Sequence, residues 1–193
     1  MCTSFQFFKF TKCQKNIKFH NPEGLYFVTS TVVHWIDLFT RKELKYIITN
    51  SLKYCQSNKG LVIHAWCLIP SHLHMIISSS EGNLPGIMRD FKKYTSKRII
   101  EELELINESR KEWLLRAFKK SGENLKRIKG NKVWRDGNQP KEIMTNEFLD
   151  QKLDYIHRNP VEAEIVEEPE HYLYSSARDY AGIQGLIHVV LLD

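Results

Sequence analysis

Residues 66–77 read Trp66-Cys67-Leu68-Ile69-Pro70-Ser71-His72-Leu73-His74-Met75-Ile76-Ile77. The residues after Pro70 are mostly apolar and β-prone, which predicts a short buried strand. Side chains two positions apart share one face of a strand, so His72 and His74 should point the same way. Two imidazoles that project together can hold one divalent cation. Two strand histidines bonded to neighbouring backbone would give the same pattern, so the pair alone leaves both interpretations open.

The length, composition and charge of the chain limit the classes of protein to which it can belong. The chain has 193 residues, of which 42% are hydrophobic and 26% are charged, as expected for one globular domain. Its net charge of +5 permits a polyanionic partner without requiring one. The four cysteines show no C-x-x-C spacing, which argues against a disulfide framework or a zinc knuckle. No apolar run reaches the ~20 residues of a membrane span, and no signal-peptide core is present, so we expect a cytoplasmic protein with no membrane contact.

The first half of the chain predicts three strands and a helix. Gly24 to Val33 is rich in β-branched and aromatic residues and is predicted as a strand. Leu61 to Leu68 is predicted as a second strand that forms a hairpin with a third strand, His72 to Ser79. Thr40-Arg41-Lys42-Glu43 has the pattern of a capping box and predicts the start of a helix, for which Gly60 is the stop.

The second half predicts two further helices and one strand. A helix is expected from Asn83 to about Ile106, and a short fourth strand at Lys132-Val133-Trp134. Thr145 or Asn146 should cap the last helix, which we expect to end near Asn159 because Pro160 follows.

The resulting order, β-α-β-β-α-β with an added C-terminal helix, fits a ferredoxin-like α+β fold with an antiparallel sheet and helices on one face. We divide the chain into an N-terminal arm (1–22), the domain (23–180) and a C-terminal tail (181–193).

Two basic stretches are candidates for nucleic-acid contact. The second predicted helix carries lysines and arginines beside its buried stripe, with Tyr94 among them, an arrangement that suits a phosphate backbone and a stacked base. Residues 110–135 carry ten basic residues against only Glu112 and Glu123. An ordinary solvated surface is the alternative. The candidate DNA-binding residues are Lys92, Lys93, Tyr94, Lys97, Arg98, Lys126, Arg127, Lys132 and Arg135.

The last predicted helix contains a second candidate site. On a helical wheel, Tyr155 falls roughly 120° from the centre of the apolar stripe, and Asn159 lies about 40° from Tyr155, so the two share a face. Packing alone does not require a tyrosine and an amide on that face. A half-buried tyrosine at the rim of the core, followed by a normal helix end, would nevertheless look the same.

The joint pattern of paired histidines, helical tyrosine and basic helix faces resembles the HUH endonucleases. It is most similar to the single-tyrosine insertion-sequence transposases of the REP-associated group. The resemblance spans about residues 24–180. Its motifs are Tyr26-Phe27-Val28-Thr29, Ile69-Pro70-Ser71-His72-Leu73-His74, Trp134-x-x-Gly137, Tyr155-Ile156-His157-Arg158-Asn159-Pro160-Val161 and Tyr174-Ser175-Ser176-Ala177.

This resemblance implies a DNA transposase that cleaves and rejoins single-stranded or hairpin DNA through a 5′-phosphotyrosine. It implies that His72, His74 and Asn159 hold Mg²⁺ or Mn²⁺ and that Tyr155 is the nucleophile. It also implies a nucleoid-associated protein in the cytoplasm. Related enzymes act as dimers or as monomers, so a homodimer, with Tyr155 acting in cis or in trans, is left open.

The motifs depart from the family pattern in two places. Ile69 and Ser71 stand where the family usually has Met and Asn, a change that we expect to matter little. Asn138 and Gln139 replace a Tyr pair that often follows the Trp-x-x-Gly element, which puts substrate contacts in doubt more than chemistry.

Three other functions compete with this interpretation. A domesticated relative would bind hairpin DNA without cutting it. A metal-dependent nuclease would use water as its nucleophile, with Tyr155 structural. A ferredoxin-like RNA-binding module would need aromatic residues on its central strands, where this chain has histidines.

Overall fold

The structure, a computed structural model, describes residues 19–123 and 130–192. Its elements are β1 (Tyr26–Thr31), a 3-10 turn (Val33–Trp35), α1 (Lys42–Lys59), β2 (Leu61–Ile69), β3 (His72–Ser79), α2 (Leu84–Leu105), α3 (Lys111–Glu123), β4 (Lys141–Glu142), α4 (Asn146–Glu162), a second 3-10 turn (Pro169–His171) and α5 (Ala177–Tyr180). None of the helices in these ranges is both long enough and apolar enough to cross a membrane.

The four strands form one antiparallel sheet in the order β2-β3-β1-β4. The pairing of β1 with β3 sets Thr29 opposite His74 and Thr31 opposite His72. Because cross-strand partners project from the same face, these threonines lie beside the histidines. The predicted α+β class with an antiparallel sheet is confirmed.

Alternation along β3 separates a core face from a site face. Leu73 and Met75 are fully buried in the hydrophobic core, which the apolar stripes of α1 and α2 also enter. His72 and His74 project from the other face. Helix α4 lies on that histidine face, because its Tyr155 contacts His74.

Two predicted element boundaries are wrong. The N-cap of α1 is Arg41, without a side-chain cap, since the Thr40 hydroxyl instead accepts a hydrogen bond from Arg110. Helix α4 runs through Pro160 to Glu162 rather than ending near Asn159. Thr145, one of the two predicted caps, caps α4, and the Asn83 side chain caps α2.

The predicted fourth strand is also misplaced. Trp134 makes only an isolated bridge with Val32, and its ring nitrogen donates to the Thr95 hydroxyl inside the core. The true β4 is the short pair Lys141–Glu142, which lies against Tyr26 and Phe27. The Trp134 ring therefore packs into the core, and residues 132–134 do not form the predicted strand.

The C-terminal region completes the sheet at its β2 edge. Leu68 N donates to Tyr174 O, and Ser176 N donates to Trp66 O, so residues 174–176 cover an edge that would otherwise be open. The tail also joins β2, because Val190 N donates to Ile63 O. The predicted domain boundaries stay a prediction, and most of the N-terminal arm lies outside the described residues.

Candidate active site at the histidine pair

The two histidines of β3 form the centre of the candidate site. The ring centroids of His72 and His74 are 4.4 Å apart, with their planes at 84°. This closeness confirms that both imidazoles project from one face of the strand. Their accessible fractions are 8% and 3%, so the pair lies at the bottom of the site rather than on an open surface.

Each imidazole is oriented by a hydroxyl group. His74 Nδ1 lies 2.9 Å from Thr29 Oγ1, and His72 Nδ1 lies 2.9 Å from Ser71 Oγ. When Nδ1–H donates to such a hydroxyl, Nε2 keeps its lone pair for a metal ion. The backbone bonding considered as an alternative from sequence is not how these two rings are held.

Burial keeps both imidazoles neutral. It lowers the pKa of His72 to about 4. Burial, followed by the charges of His72 and Lys152, lowers the pKa of His74 to about 3. At neutral pH both rings are therefore free bases, which is the form that binds a cation.

Tyr155 of α4 reaches this pair within the same chain. Its hydroxyl is 3.4 Å from His74 Nε2, and its ring packs edge-on to His74 and Phe27. Burial and the charge of Glu162 raise the pKa of Tyr155, while a hydrogen bond with Asn159 opposes the rise. The hydroxyl is thus a protonated phenol at neutral pH, poised beside two neutral bases.

Asn159 follows Tyr155 on α4 and carries the amide named in the sequence prediction. It is 9% exposed and lies one helical turn after Tyr155, to which its side chain is hydrogen-bonded. Among the residues that the structure describes, no three His, Cys, Asp or Glu side chains come together as a metal-binding group. Two imidazole nitrogens and one amide oxygen are the donor groups that His72, His74 and Asn159 could offer to a divalent cation.

The predicted DNA-binding residues divide between two surfaces. Lys92, Lys93 and Lys97 of α2 line one groove together with Lys132 and Arg135. Tyr94 and Arg98 line a different groove between α1 and α2. Lys126 and Arg127 lie outside the described residues.

Several of these cations already have protein partners. The Lys92 ammonium donates to Arg135 O and Gly137 O, at 3.3 and 2.6 Å, so it holds a loop in place. Burial lowers the pKa of Lys92 to about 8.

Ion pairs occupy three of the others. Both Lys97 and Arg98 pair with Glu101, and Lys132 pairs with Asp136 at 2.7 Å. Lys93 and Tyr94 are exposed on α2.

Two residues near the site were missed from sequence. Lys152 places its ammonium 5.5 Å from the centre of the Tyr155 ring and 5.3 Å from that of Phe27. Lys152 precedes Tyr155 by three residues on one helix, and this spacing could have predicted that the two side chains are neighbours. Trp35 lies against the His72 ring, with 5.3 Å between centroids, and nothing in the local sequence indicated it.

Comparison with known proteins agrees with the resemblance seen in the sequence. Residues 27–121 match the family described as IS200-like transposases. No curated protein sequence matches the chain. The family match confirms the predicted resemblance.

Solved structures support the fold. A REP-associated tyrosine transposase bound to a REP hairpin superposes with a TM-score of 0.59 at 18% identity, covering 94% of each chain. A Deinococcus radiodurans protein assigned as a transposase gives 0.43 at 14% identity, over 76% of this chain and 95% of that one. The second TM-score is too low to support an argument. The first confirms the predicted fold class.

Proposed function

From the confirmed resemblance to IS200-like transposases, we propose that this chain is a metal-dependent single-strand DNA transesterase. It would cleave and rejoin DNA in transposition through a 5′-phosphotyrosine intermediate. Its substrate would be single-stranded or hairpin DNA, encountered in the cytoplasm at the nucleoid. The transposase bound to a REP hairpin has the same fold, which supports hairpin DNA as the substrate class.

One observation carries this proposal. The Tyr155 hydroxyl lies 3.4 Å from His74 Nε2, although 81 residues separate the two in sequence. A purely structural tyrosine would not need its hydroxyl at the only nitrogen that His74 has free for a cation. Since both side chains belong to one chain, the geometry supports action in cis and does not require a homodimer to assemble the site.

The chain's own residues would act as follows. Tyr155 Oη attacks the phosphorus atom of a phosphodiester, and the bond from phosphorus to the 3′ oxygen breaks. The phenolic proton ends on the departing 3′ oxygen by way of solvent. The 5′-phosphotyrosine conserves the phosphodiester bond, so a second 3′-hydroxyl can reverse the step and join a new strand.

His72, His74 and Asn159 would hold the divalent cation. When bound, Mn²⁺ or Mg²⁺ supplies charge neutralisation and orientation for the phosphodiester. Thr29 and Ser71 keep the two imidazoles in the orientation and tautomer that this role needs.

The test is a nicking assay on a single-stranded hairpin oligonucleotide with Mn²⁺. We expect the wild-type protein to form a covalent protein–DNA adduct, seen as a band of reduced mobility in a denaturing gel. Tyr155→Phe should form none, because the attacking oxygen is absent. Tyr54→Phe removes an exposed hydroxyl from α1 and is the matched control.

His72→Ala should abolish adduct formation while leaving hairpin binding almost unchanged. An adduct formed by Tyr155→Phe would show that the nucleophile is assigned wrongly. Cleavage without any adduct would favour a nuclease that uses water. Tight hairpin binding by a wild-type protein that never cuts would identify the domesticated, non-catalytic relative.

A further inference from the structure

An exposed tryptophan stands at the edge of the histidine site. Trp35 is 55% exposed, yet its ring meets the His72 ring edge-on at 5.3 Å. The Arg135 guanidinium also lies 5.7 Å from the Trp35 ring centre. Trp35 therefore presents an aromatic surface to solvent directly beside the histidine pair.

The backbone holds Trp35 in this outward position against its own preference. His34 and Trp35 both have φ of 57°, in the left-handed region that favours glycine. Neighbouring contacts fix this turn: Val33 N donates to Val133 O, and the His34 ring lies 3.0 Å from the Ser121 hydroxyl. Such conformations persist only where the surrounding structure enforces them.

Trp35 opens into a groove formed by the 3-10 turn, α3 and the segment before Gly137. A second tryptophan, Trp113, lines this groove and is 50% exposed. The cations of the groove are Arg116, Lys120, Lys132 and Arg135, against one carboxylate, Asp136. Exposed aromatic rings among an excess of cations are the features that bind single-stranded nucleic acid, by base stacking and phosphate contact.

We propose that this groove binds the single-stranded DNA that adjoins the cleaved phosphate, with a base stacked on Trp35. Arg116 and Lys120 would contact the backbone, and Trp113 offers a second stacking surface further along. The inference rests on the proposed function for the location of the cleaved phosphate. An acidic polymer suits the groove better than a protein partner, because four cations face a single acid.

Binding is measured on the full chain in EDTA, so that neither metal nor chemistry contributes. The probe is a fluorescein-labelled ten-nucleotide oligothymidine, followed by anisotropy. We expect Trp35→Ala to weaken binding about ten-fold and Trp35→Phe to restore most of it, because stacking needs only an aromatic face. Leu191→Ala, which removes a comparably exposed apolar side chain from the C-terminal tail, should bind like the wild type.

Photocrosslinking of a 5-iodouracil oligonucleotide to the wild-type protein gives a second readout that no folding defect can affect. We expect mass spectrometry to find the crosslink at Trp35 or Trp113. Arg116→Gln should reduce the slope of log K against log salt concentration by about one, as expected when one phosphate contact is lost.

Unchanged affinity in Trp35→Ala, or crosslinks confined to other elements, would overturn the proposal. So would a wild-type dimer that Trp35→Ala converts to a monomer, since the groove would then be a contact between copies. Failure of the proposed function has a different signature. A Tyr155→Phe protein that still forms adducts, or a wild type that forms none, leaves the EDTA binding result for Trp35 intact.

Discussion

The hydroxyls of Thr29 and Ser71 decide which nitrogen each histidine offers to a ligand. Both Nδ1 atoms are 2.9 Å from a hydroxyl oxygen, so Nε2 is the atom available on each ring in the tautomer whose Nδ1–H donates to that hydroxyl. A partner at Nδ1 fixes ring orientation and makes the ligating nitrogen more basic. The candidate metal site therefore extends into β1, to a residue that does not itself bind the ion.

We expect Thr29→Val to weaken Mn²⁺ binding by about 10- to 100-fold, the usual effect of removing such a partner. Valine keeps the shape of threonine and removes only the hydroxyl. Isothermal titration calorimetry with Mn²⁺ measures the affinity. Ser30→Ala is the matched control, because its buried hydroxyl, which has no hydrogen-bond partner among the described residues, projects from the opposite face of β1. Equal affinities for Thr29→Val and the wild type would remove Thr29 from the site.

Lys152 brings a positive charge to Tyr155, the proposed nucleophile. Its ammonium lies over the rings of Phe27, Phe148 and Tyr155, and its charge contributes to the lowered pKa of His74. A phosphodiester held between His74 and Tyr155 would bring negative charge into the same space. Lys152 would then stabilise the charge that develops during attack.

Lys152→Gln should slow adduct formation about ten-fold, since a partly screened charge at this range contributes on the order of 1–2 kcal/mol. Lys152→Arg should keep most of the rate. The measurement is the single-turnover rate of adduct formation at saturating hairpin DNA, which separates chemistry from binding. Lys53→Gln, an exposed lysine of α1, is the control for lost net charge. A Lys152→Gln protein as fast as the wild type would contradict the role.

At the scale of elements, the periodicity of the sequence within single strands and helices was sufficient to predict part of the candidate site. The alternation along β3 correctly predicted the paired imidazoles, and the helical wheel correctly placed Asn159 beside Tyr155. Both predictions depend on residues within one element. The meeting of Tyr155 with His74 depends on how α4 docks, and only the family resemblance indicated it.

The wrong predictions concern residues whose conformation is set by contacts between elements, because tertiary contacts override local preference. Trp134 leaves strand pairing since its ring is buried against Phe39 and Phe91. The left-handed backbone at Trp35 is rare in residues other than glycine, so no sequence rule would have turned its ring toward His72. Pro160 costs α4 one backbone hydrogen bond, yet the helix continues because its last turn packs into the protein.

Ser176 anchors α4 to the sheet. Its hydroxyl accepts from Trp66 N at 2.9 Å and lies 2.9 Å from the His157 ring nitrogen. Tyr155 is two residues before His157 on the same helix, so this contact fixes the helix that carries the proposed nucleophile. The motif Tyr174-Ser175-Ser176-Ala177 is therefore a positioning element.

Ser176→Ala should lower the free energy of unfolding by about 1–3 kcal/mol, because the buried Trp66 N–H loses its acceptor. The expected fall in Tm is about 2–4 °C per kcal/mol for a chain of this size. Adduct yield should fall as well, since Tyr155 loses its alignment. Differential scanning calorimetry and the nicking assay measure the two effects. Ser57→Ala, at an exposed position of α1, should change neither. Unaltered Tm in Ser176→Ala would mean that α4 is held elsewhere.

For the whole molecule, the buried histidines and Glu108 make stability fall as the solution becomes acidic. Burial lowers the pKa of His72 and of His157 to about 4 and that of His74 to about 3, whereas an unfolded histidine titrates near ~6.5. Hydrogen bonds from Arg110 lower the pKa of Glu108 to about 2. In each case the unfolded chain binds more protons than the native protein between the two pKa values, so acid favours unfolding.

The Tm of the metal-free protein should therefore change least between pH 7 and pH 8, decline as the pH falls through 6.5, and decline further below 4.5 as unfolded glutamate takes up protons. Each buried histidine contributes up to about 1.4 kcal/mol per pH unit within its window. The measurement is calorimetric Tm between pH 4 and pH 8 in EDTA. His157→Asn removes one such group and should make the decline between pH 6.5 and pH 4 shallower, whatever it does to Tm at pH 8. His171→Asn, at an exposed position, should leave the slope unchanged. If the slopes of the two variants match, burial of the imidazoles does not govern the acid sensitivity of the fold.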